Sequence, residues 1–183
     1  MAERLRLEEI NRLDRSGIIL DANIWLYLYC PLGGYNERMV SAYSRCYANL
    51  LKSANVIFTD VIVLSEVVNR YLRLAFEQYK REENKVNIDY KRDYRVTDNC
   101  RNALSEIRGV IKNRILARSD ICNPQYTKES LLNMIDELSP ELDFNDQHII
   151  KICNDNGFYL LTHDGDFRNA PVNIVSANRI FWN

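Results

Sequence analysis

Six acidic residues sit where side chains could meet. Asp21 closes the stretch "GIILDANIW" (17–25), with Asn23 two positions on. Glu66 lies inside "TDVIVLSEVVNRYLR", Asp143 and Asp146 open "DFNDQHIIKIC", and Asp164 and Asp166 follow "LLTH". Carboxylates brought within a few ångströms repel by roughly 1 kcal/mol per pair in water and about 4 kcal/mol at an effective dielectric of 20. A cluster of them must protonate, splay apart or bind a cation. With oxygen ligands alone, that cation is a hard divalent ion, Mg²⁺ or Mn²⁺, which usually keeps several waters and takes phosphate oxygens as further ligands. The chemistry indicated is phosphoryl chemistry. Each acid also has a plainer reading: Asp21 as a helix cap, Glu66 as a surface residue of an amphipathic helix, Asp146 as a first-turn acid, Asp164 as a turn residue.

The elements that would position these residues follow an alternating pattern. Short apolar runs at "GIIL", "NVIFT", "FYLLT" and "VNIVS" read as buried strands. Between them, helices are expected at about 3–15, 37–53, 60–82, 98–118, 128–138 and 145–156, and Gly157 stands where the last of these should stop. Such alternation argues for an α/β fold, a parallel sheet covered by helices through right-handed crossovers. In parallel sheets, sites form at the carboxyl ends of the strands. Asp21 and Asp164 both come off such ends. The segment 83–97, "ENKVNIDYKRDYRVT", is polar and is expected to be a loop joining two long helices.

Composition narrows the class. The chain has 183 residues and a formal net charge of −1, long enough to bury a real core and read as one domain over 1–183. Five cysteines without a C-x-x-C pair, and only two histidines, argue against a disulfide framework and against a thiolate or imidazole zinc site. They point to a reducing, cytoplasmic setting. No apolar run approaches the length of a membrane span.

The successive segments "IILDANIWLYL", "TDVIVLSEVVNRYL" and "DFNDQHIIKICNDNGFYLLTHDGDF" resemble the ordered motifs of PIN-domain ribonucleases, a family that includes the toxins of many bacterial toxin–antitoxin pairs. The match runs through Asp21 and Asn23, Glu66, Asp146, and then Thr162, Asp164, Asp166 and Phe167. The chain departs from small members of the family in its middle, where about 80–127 forms a longer helical insert. The resemblance implies a three-layer fold with a central parallel sheet of about four to five strands flanked by helices. It implies a divalent-metal-dependent endoribonuclease that hydrolyses the phosphodiester bonds of single-stranded or structured RNA, with Mg²⁺ or Mn²⁺ as cofactor. Asp21, Glu66, Asp146 and Asp164 would be the catalytic metal ligands, with Asp166 either an outer ligand or a turn residue. Asn23 and Thr162 would orient carboxylates or water behind them. A toxin of this family implies an antitoxin partner and a homodimer formed through the helices. His163 falls at a variable place in the pattern and reads as a bystander.

An acidic pocket must still attract a polyanion. Residues 80–118 carry eleven Lys and Arg against six acids, with Tyr90 and Tyr94 interleaved in "DYKRDYR". Tyr90, Lys91, Arg92, Tyr94 and Arg95 suit phosphate contact and base stacking, or else form a solvated helical face. Arg70 and Arg73, one and two turns beyond Glu66, are further substrate contacts or surface charges. Two other functions remain open: an RNA-maturation or structure-specific DNA nuclease, and an inactive module that binds RNA or protein. The full set of acids argues against the latter. Between the neighbours Asp143 and Asp146, the spacing predicts Asp143 as the helix cap and Asp146 as the inward-facing first-turn ligand.

Overall fold

A computed structural model of the protein describes residues 2–84 and 87–182; Lys85 and Val86, part of the expected 83–97 loop and of the insert, lie outside them. Six parallel strands form one sheet: β1 (Arg4–Arg6), β2 (Gly17–Leu20), β3 (Val56–Thr59), β4 (Asp120–Ile121), β5 (Tyr159–Leu161) and β6 (Asn173–Ser176). Their order across the sheet is β1-β6-β5-β2-β3-β4. The helices are α1 (Ala22–Tyr29), α2 (Glu37–Leu50), α3 (Val61–Glu82), α4 (Asp98–Val110), α5 (Lys128–Asp136) and α6 (Phe144–Asn156). From β2 the chain steps outward through β3 to β4, then returns to lay β5 on the other side of β2. Right-handed crossovers running in these opposite directions place their helices on opposite faces, which gives the three layers.

The central strands are apolar because both faces are covered: Ile18, Ile19, Leu20, Leu160 and Leu161 are all fully buried. The two strands beyond the expected four are the edge strands β1 and β4. Neither carries an apolar run, and both exist through their partners. Arg4–Arg6 pairs with Ile174–Ser176, and Asp120–Ile121 pairs with Phe58–Thr59. The helix expected over 3–15 is therefore corrected to β1 followed by a 3₁₀ turn at Leu7–Arg12. The Arg4 guanidinium holds this strand in place by donating to the carbonyls of Ala170 (2.7 Å) and Val172.

The expected insert over about 80–127 folds back on α3, so that α3 and α4 form a helical hairpin. α3 buries Val63, Val67, Tyr71 and Ala75, spaced four apart on one face, and packs on α4 through Cys100, Ala103 and Ile107. α4 ends earlier than 118 and passes into a π-helical turn at Ile111–Ile115. The 83–97 segment contains a second π turn at Tyr90–Tyr94. Tyr94 is completely buried among Phe76, Tyr79 and Tyr90, and its hydroxyl donates to Asn99 Oδ1 at 2.9 Å. The expectation that Tyr94 stacks on a nucleic acid base is corrected: its ring's neighbours are core aromatics and no face is open. All five cysteines are buried free thiols. Among the described residues, no helix is long and apolar enough to cross a membrane.

Candidate active site

Strand order reverses at β2. Its carboxyl end, flanked by β5 on one side and β3 on the other, is the topological switch point at which open α/β sheets form their crevice. Asp21 stands there, at the first position beyond β2, and its backbone N–H still pairs with the carbonyl of Leu161 on β5 at 3.0 Å. It occupies the N-cap position of α1, yet its side chain makes no capping bond. Both side-chain donors that reach it go to Oδ2: Asn23 Nδ2 at 2.7 Å and Thr162 Oγ1 at 2.6 Å. Thr162 Oγ1 also accepts from the Asp164 N–H at 2.9 Å, and Asn23 Oδ1 lies 3.4 Å from the His163 N–H. The ends of β2 and β5 are thus tied by side chains into one knot around a buried carboxylate. The cap position and a tie between two strand ends coincide here, and the side chain serves the tie.

The remaining acids surround this knot. Burial pushes the Asp21 carboxyl up to about 6, with the charges of Glu66 and Asp164 adding to the rise while the Thr162 bond opposes it. Asp146 is pushed up to about 7, again by burial first, with the charges of Asp143, Asp21 and Asp164 adding to it. Glu66, half-buried on α3, accepts from Arg70 Nη1 at 3.2 Å. Asp164 caps a 3₁₀ turn at Gly165–Asn169, its Oδ1 accepting from the Asp166 N–H at 3.1 Å, and Asp166 is exposed. Asp143 is the N-cap of α6, accepting from Asn145 N–H (2.7 Å) and Asp146 N–H (3.1 Å), and Asp146 Oδ2 accepts from the Asp143 N–H (2.9 Å) in return.

Four acids from β2, α3, α6 and the end of β5 therefore share one field, although among the described residues no three His, Cys, Asp or Glu side chains close on a single point that could hold an ion. The donor chemistry fits Mg²⁺ or Mn²⁺ rather than a softer ion. The side chains that share the field are oxygen donors, and Mg²⁺ is commonly held by only one or two carboxylates, with waters and phosphate oxygens completing its shell.

The raised values have a consequence for stability. An acid whose folded-state pKa lies above its usual 3.8 stabilises the fold only while protonated, so that contribution is present below about pH 4 and lost as pH rises through about 6 to 7. In EDTA, these two acids should make the melting temperature fall between pH 4 and 7. Asp21→Asn should flatten that fall in differential scanning fluorimetry, and parallel profiles for the two proteins would contradict the coupling.

The other residues named from sequence divide into groups. Arg70 stands beside Glu66. Arg73 and Arg95 place their guanidinium groups 4.8 and 5.3 Å from the centre of the Tyr90 ring. Arg92 pairs with Asp93 at 2.8 Å, and Lys91 is exposed. His163 is held by the Tyr43 hydroxyl, 2.9 Å from Nδ1, and burial lowers its pKa. The same hydroxyl accepts from the Ala177 N–H at 3.0 Å and lies 3.1 Å from the Thr162 carbonyl. Tyr43 thereby braces the β5 end, a role invisible in sequence because its partners lie more than a hundred residues away. A second polar group, also unforeseen, stands at the end of β3. Buried Asp60 caps α3 through Val63 N–H (2.8 Å) and pairs with His148 Nε2, whose Nδ1 meets the Tyr126 hydroxyl.

The chain belongs to the PIN domain family, whose model matches residues 18–173. PIN domains are generally nucleases, hydrolases that typically use divalent metals. Among solved structures, the chain is similar to VapBC2 from Rickettsia felis bound to a DNA fragment from their promoter, at 16% identity and a TM-score of 0.46, covering 87% of this chain and 96% of that one. It is also similar to FitAcB from Neisseria gonorrhoeae, at 15% identity and a TM-score of 0.49, covering 86% and 96%. A search of curated proteins gives no match.

Proposed function

We propose that the protein is a divalent-metal-dependent endoribonuclease. The observation that carries this reading is the buried Asp21 carboxylate, anchored by Asn23 and Thr162 at the switch point and sharing a field with Glu66, Asp146 and Asp164. In this reading those four acids hold Mg²⁺ or Mn²⁺, and Asp166 sits outside them as an outer partner. When bound, such an ion supplies a water acidified toward neutrality and draws charge from the phosphate oxygens. Asn23 and Thr162 fix the Asp21 carboxylate in one orientation, which spares the site that reorganisation. Arg70, exposed at the rim beside Glu66, meets a substrate phosphate. Arg73, Tyr90, Lys91, Arg92 and Arg95 extend the contact along the helical hairpin.

RNA as substrate, and a toxin role with an antitoxin partner and a homodimer, follow from the sequence resemblance. An antitoxin segment that offers Arg or Lys to the acids would silence such a site. The decisive assay incubates the protein with a single-stranded RNA and with DNA of the same sequence, in Mg²⁺, Mn²⁺ and EDTA. Cleavage of RNA that is lost in EDTA and restored by either ion is expected. Full cleavage in EDTA would overturn the metal mechanism, and preferential cleavage of DNA would overturn the choice of substrate.

A further inference from the structure

Two of the helices that carry the acids are joined near their N-termini. α3 starts at its cap Asp60, fully buried at the end of β3, and carries Glu66. α6 carries Asp146 and, two residues on, the buried His148. His148 Nε2 meets Asp60 Oδ2, and its Nδ1 meets the Tyr126 hydroxyl, so both ring nitrogens are taken and the imidazole is held in one orientation. Asp60 Oδ1 accepts from the Val63 N–H at 2.8 Å. Both oxygens of this carboxylate are therefore in use and away from solvent, which sets Asp60 apart from the four acids of the site. Its bond to His148 joins the start of α3 to the first turns of α6.

We propose that Asp60 and His148 are positioning residues for the metal site: their bond fixes α3 against α6 and so sets Glu66 and Asp146 at the separation that a divalent ion requires beside Asp21. The inference rests on the nuclease reading for its four acids and goes beyond it by assigning a pair that touches neither ion nor substrate. The distances involved are short. At a rise of about 1.5 Å per residue, Glu66 lies about 9 Å along α3 from Asp60, and Asp146 about 3 Å along α6 from His148. Over such lengths a helix moves as a rigid body, so a shift of the joint reaches both carboxylates. Mg²⁺ demands near-octahedral geometry with ligands at about 2.0–2.1 Å, so a displacement on the order of a few tenths of an ångström weakens it. A buried polar pair of this kind adds little net stability, because desolvation offsets the attraction and apolar side chains of the same volume hold a core as well. What the bond adds is direction: apolar contacts tolerate sliding, whereas a hydrogen bond between two locked side chains does not.

The test reads Mn²⁺ binding by isothermal titration calorimetry, with the melting temperature beside it, so that no cleavage enters the measurement. Asp60→Ser keeps a cap on α3, since serine caps about as well as aspartate, but its side chain is too short to reach His148. It should lower the melting temperature and weaken Mn²⁺ about tenfold, the low end for loss of a group that orients metal ligands. Asp60→Asn still reaches the imidazole and should bind Mn²⁺ as the wild type does. Asp60→Ser combined with His148→Leu removes both polar partners and refills the volume, so its melting temperature should recover while Mn²⁺ binding stays about tenfold weaker. Affinity that recovers with the melting temperature, or that Asp60→Ser leaves unchanged, overturns the positioning role. If the wild type cuts RNA in Mg²⁺ and Asp60→Ser binds Mn²⁺ normally, the nuclease stands and the positioning role falls. If the wild type cuts no RNA and both serine variants bind Mn²⁺ weakly, the nuclease falls and the positioning role stands. A wild type that binds no Mn²⁺ overturns both.

Discussion

Asp21→Asn should abolish phosphodiester cleavage while the fold becomes steadier. The side chain sits 5% exposed at the end of β2, where Oδ2 receives hydrogen bonds from Asn23 and Thr162. An asparagine oxygen can accept both, so the knot between β2 and β5 survives the change. What disappears is the negative charge. Loss of an anion that helps hold a metal, and through it steadies the reacting phosphate, removes several kcal/mol from the transition state, on the order of a thousandfold or more in rate. At neutral pH the same change removes a carboxylate that burial and the neighbouring Glu66 and Asp164 disfavour, so stability should rise by on the order of 1–3 kcal/mol. Thr162→Val and Asn23→Ala should cost less, roughly 10- to 100-fold, because they loosen the carboxylate rather than delete it. In cells, a growth defect caused by the wild type should vanish with Asp21→Asn. A variant that cuts RNA at the wild-type rate would remove Asp21 from the site.

That anchor is readable from sequence in its type but not in its geometry. "GIIL" followed by Asp is visible because a fully buried strand has a compact apolar signature and the acid interrupts it. The helix behind it, "ANIWLYLY", is apolar on nearly every side, so its period carries little signal, and α1 is absent from the expected helices apart from the capping alternative at Asp21. β1 and β4 escape for another reason. Arg4–Arg6 is a strand only because Ile174–Ser176 lies beside it, a pairing across most of the chain. Tyr94, within residues 89–95, shows the opposite error. Their charges suggest an exposed stacking surface, but Tyr94 turns inward onto Phe76 and Tyr79, because the hairpin of α3 and α4 needs aromatic volume at its open end. Asp60 falls inside the helix expected over 60–82 rather than being singled out as its cap, and its pairing with His148 spans 88 residues and has no local trace. Local punctuation and periodicity are legible; packing between distant segments is not.

Substitution at the neighbours Asp143 and Asp146 should separate a structural acid from a functional one within a single turn. The two residues bond reciprocally as a capping box, with Asp143 accepting one further bond from the Asn145 N–H, so hydrogen bonds alone mark neither as functional. Their surroundings differ. Asp143 is exposed, whereas Asp146 is half-buried, feels the charges of Asp21 and Asp164, and has its carboxyl pushed up to about 7. Asp146 precedes Ile149 and Ile150, both buried, by three and four residues, which sets it on the face of α6 that packs inward. Asparagine caps as well as aspartate, and an asparagine at 146 still offers an oxygen to the Asp143 N–H, so neither substitution should lower the melting temperature appreciably. Asp146→Asn should nonetheless reduce cleavage by on the order of a hundredfold or more, since an anion in the shared field is lost, while Asp143→Asn keeps most of the activity. The wild type should also need more Mg²⁺ for half-maximal cleavage as pH falls from about 7 toward 6, where Asp146 and then Asp21 take up protons in competition with the ion. Asp146→Asn should need more Mg²⁺ than the wild type at pH 8 and shift less as pH falls. If Asp143→Asn proves inactive and Asp146→Asn active, the inward acid of α6 is Asp143, and the field around Asp21 must be redrawn.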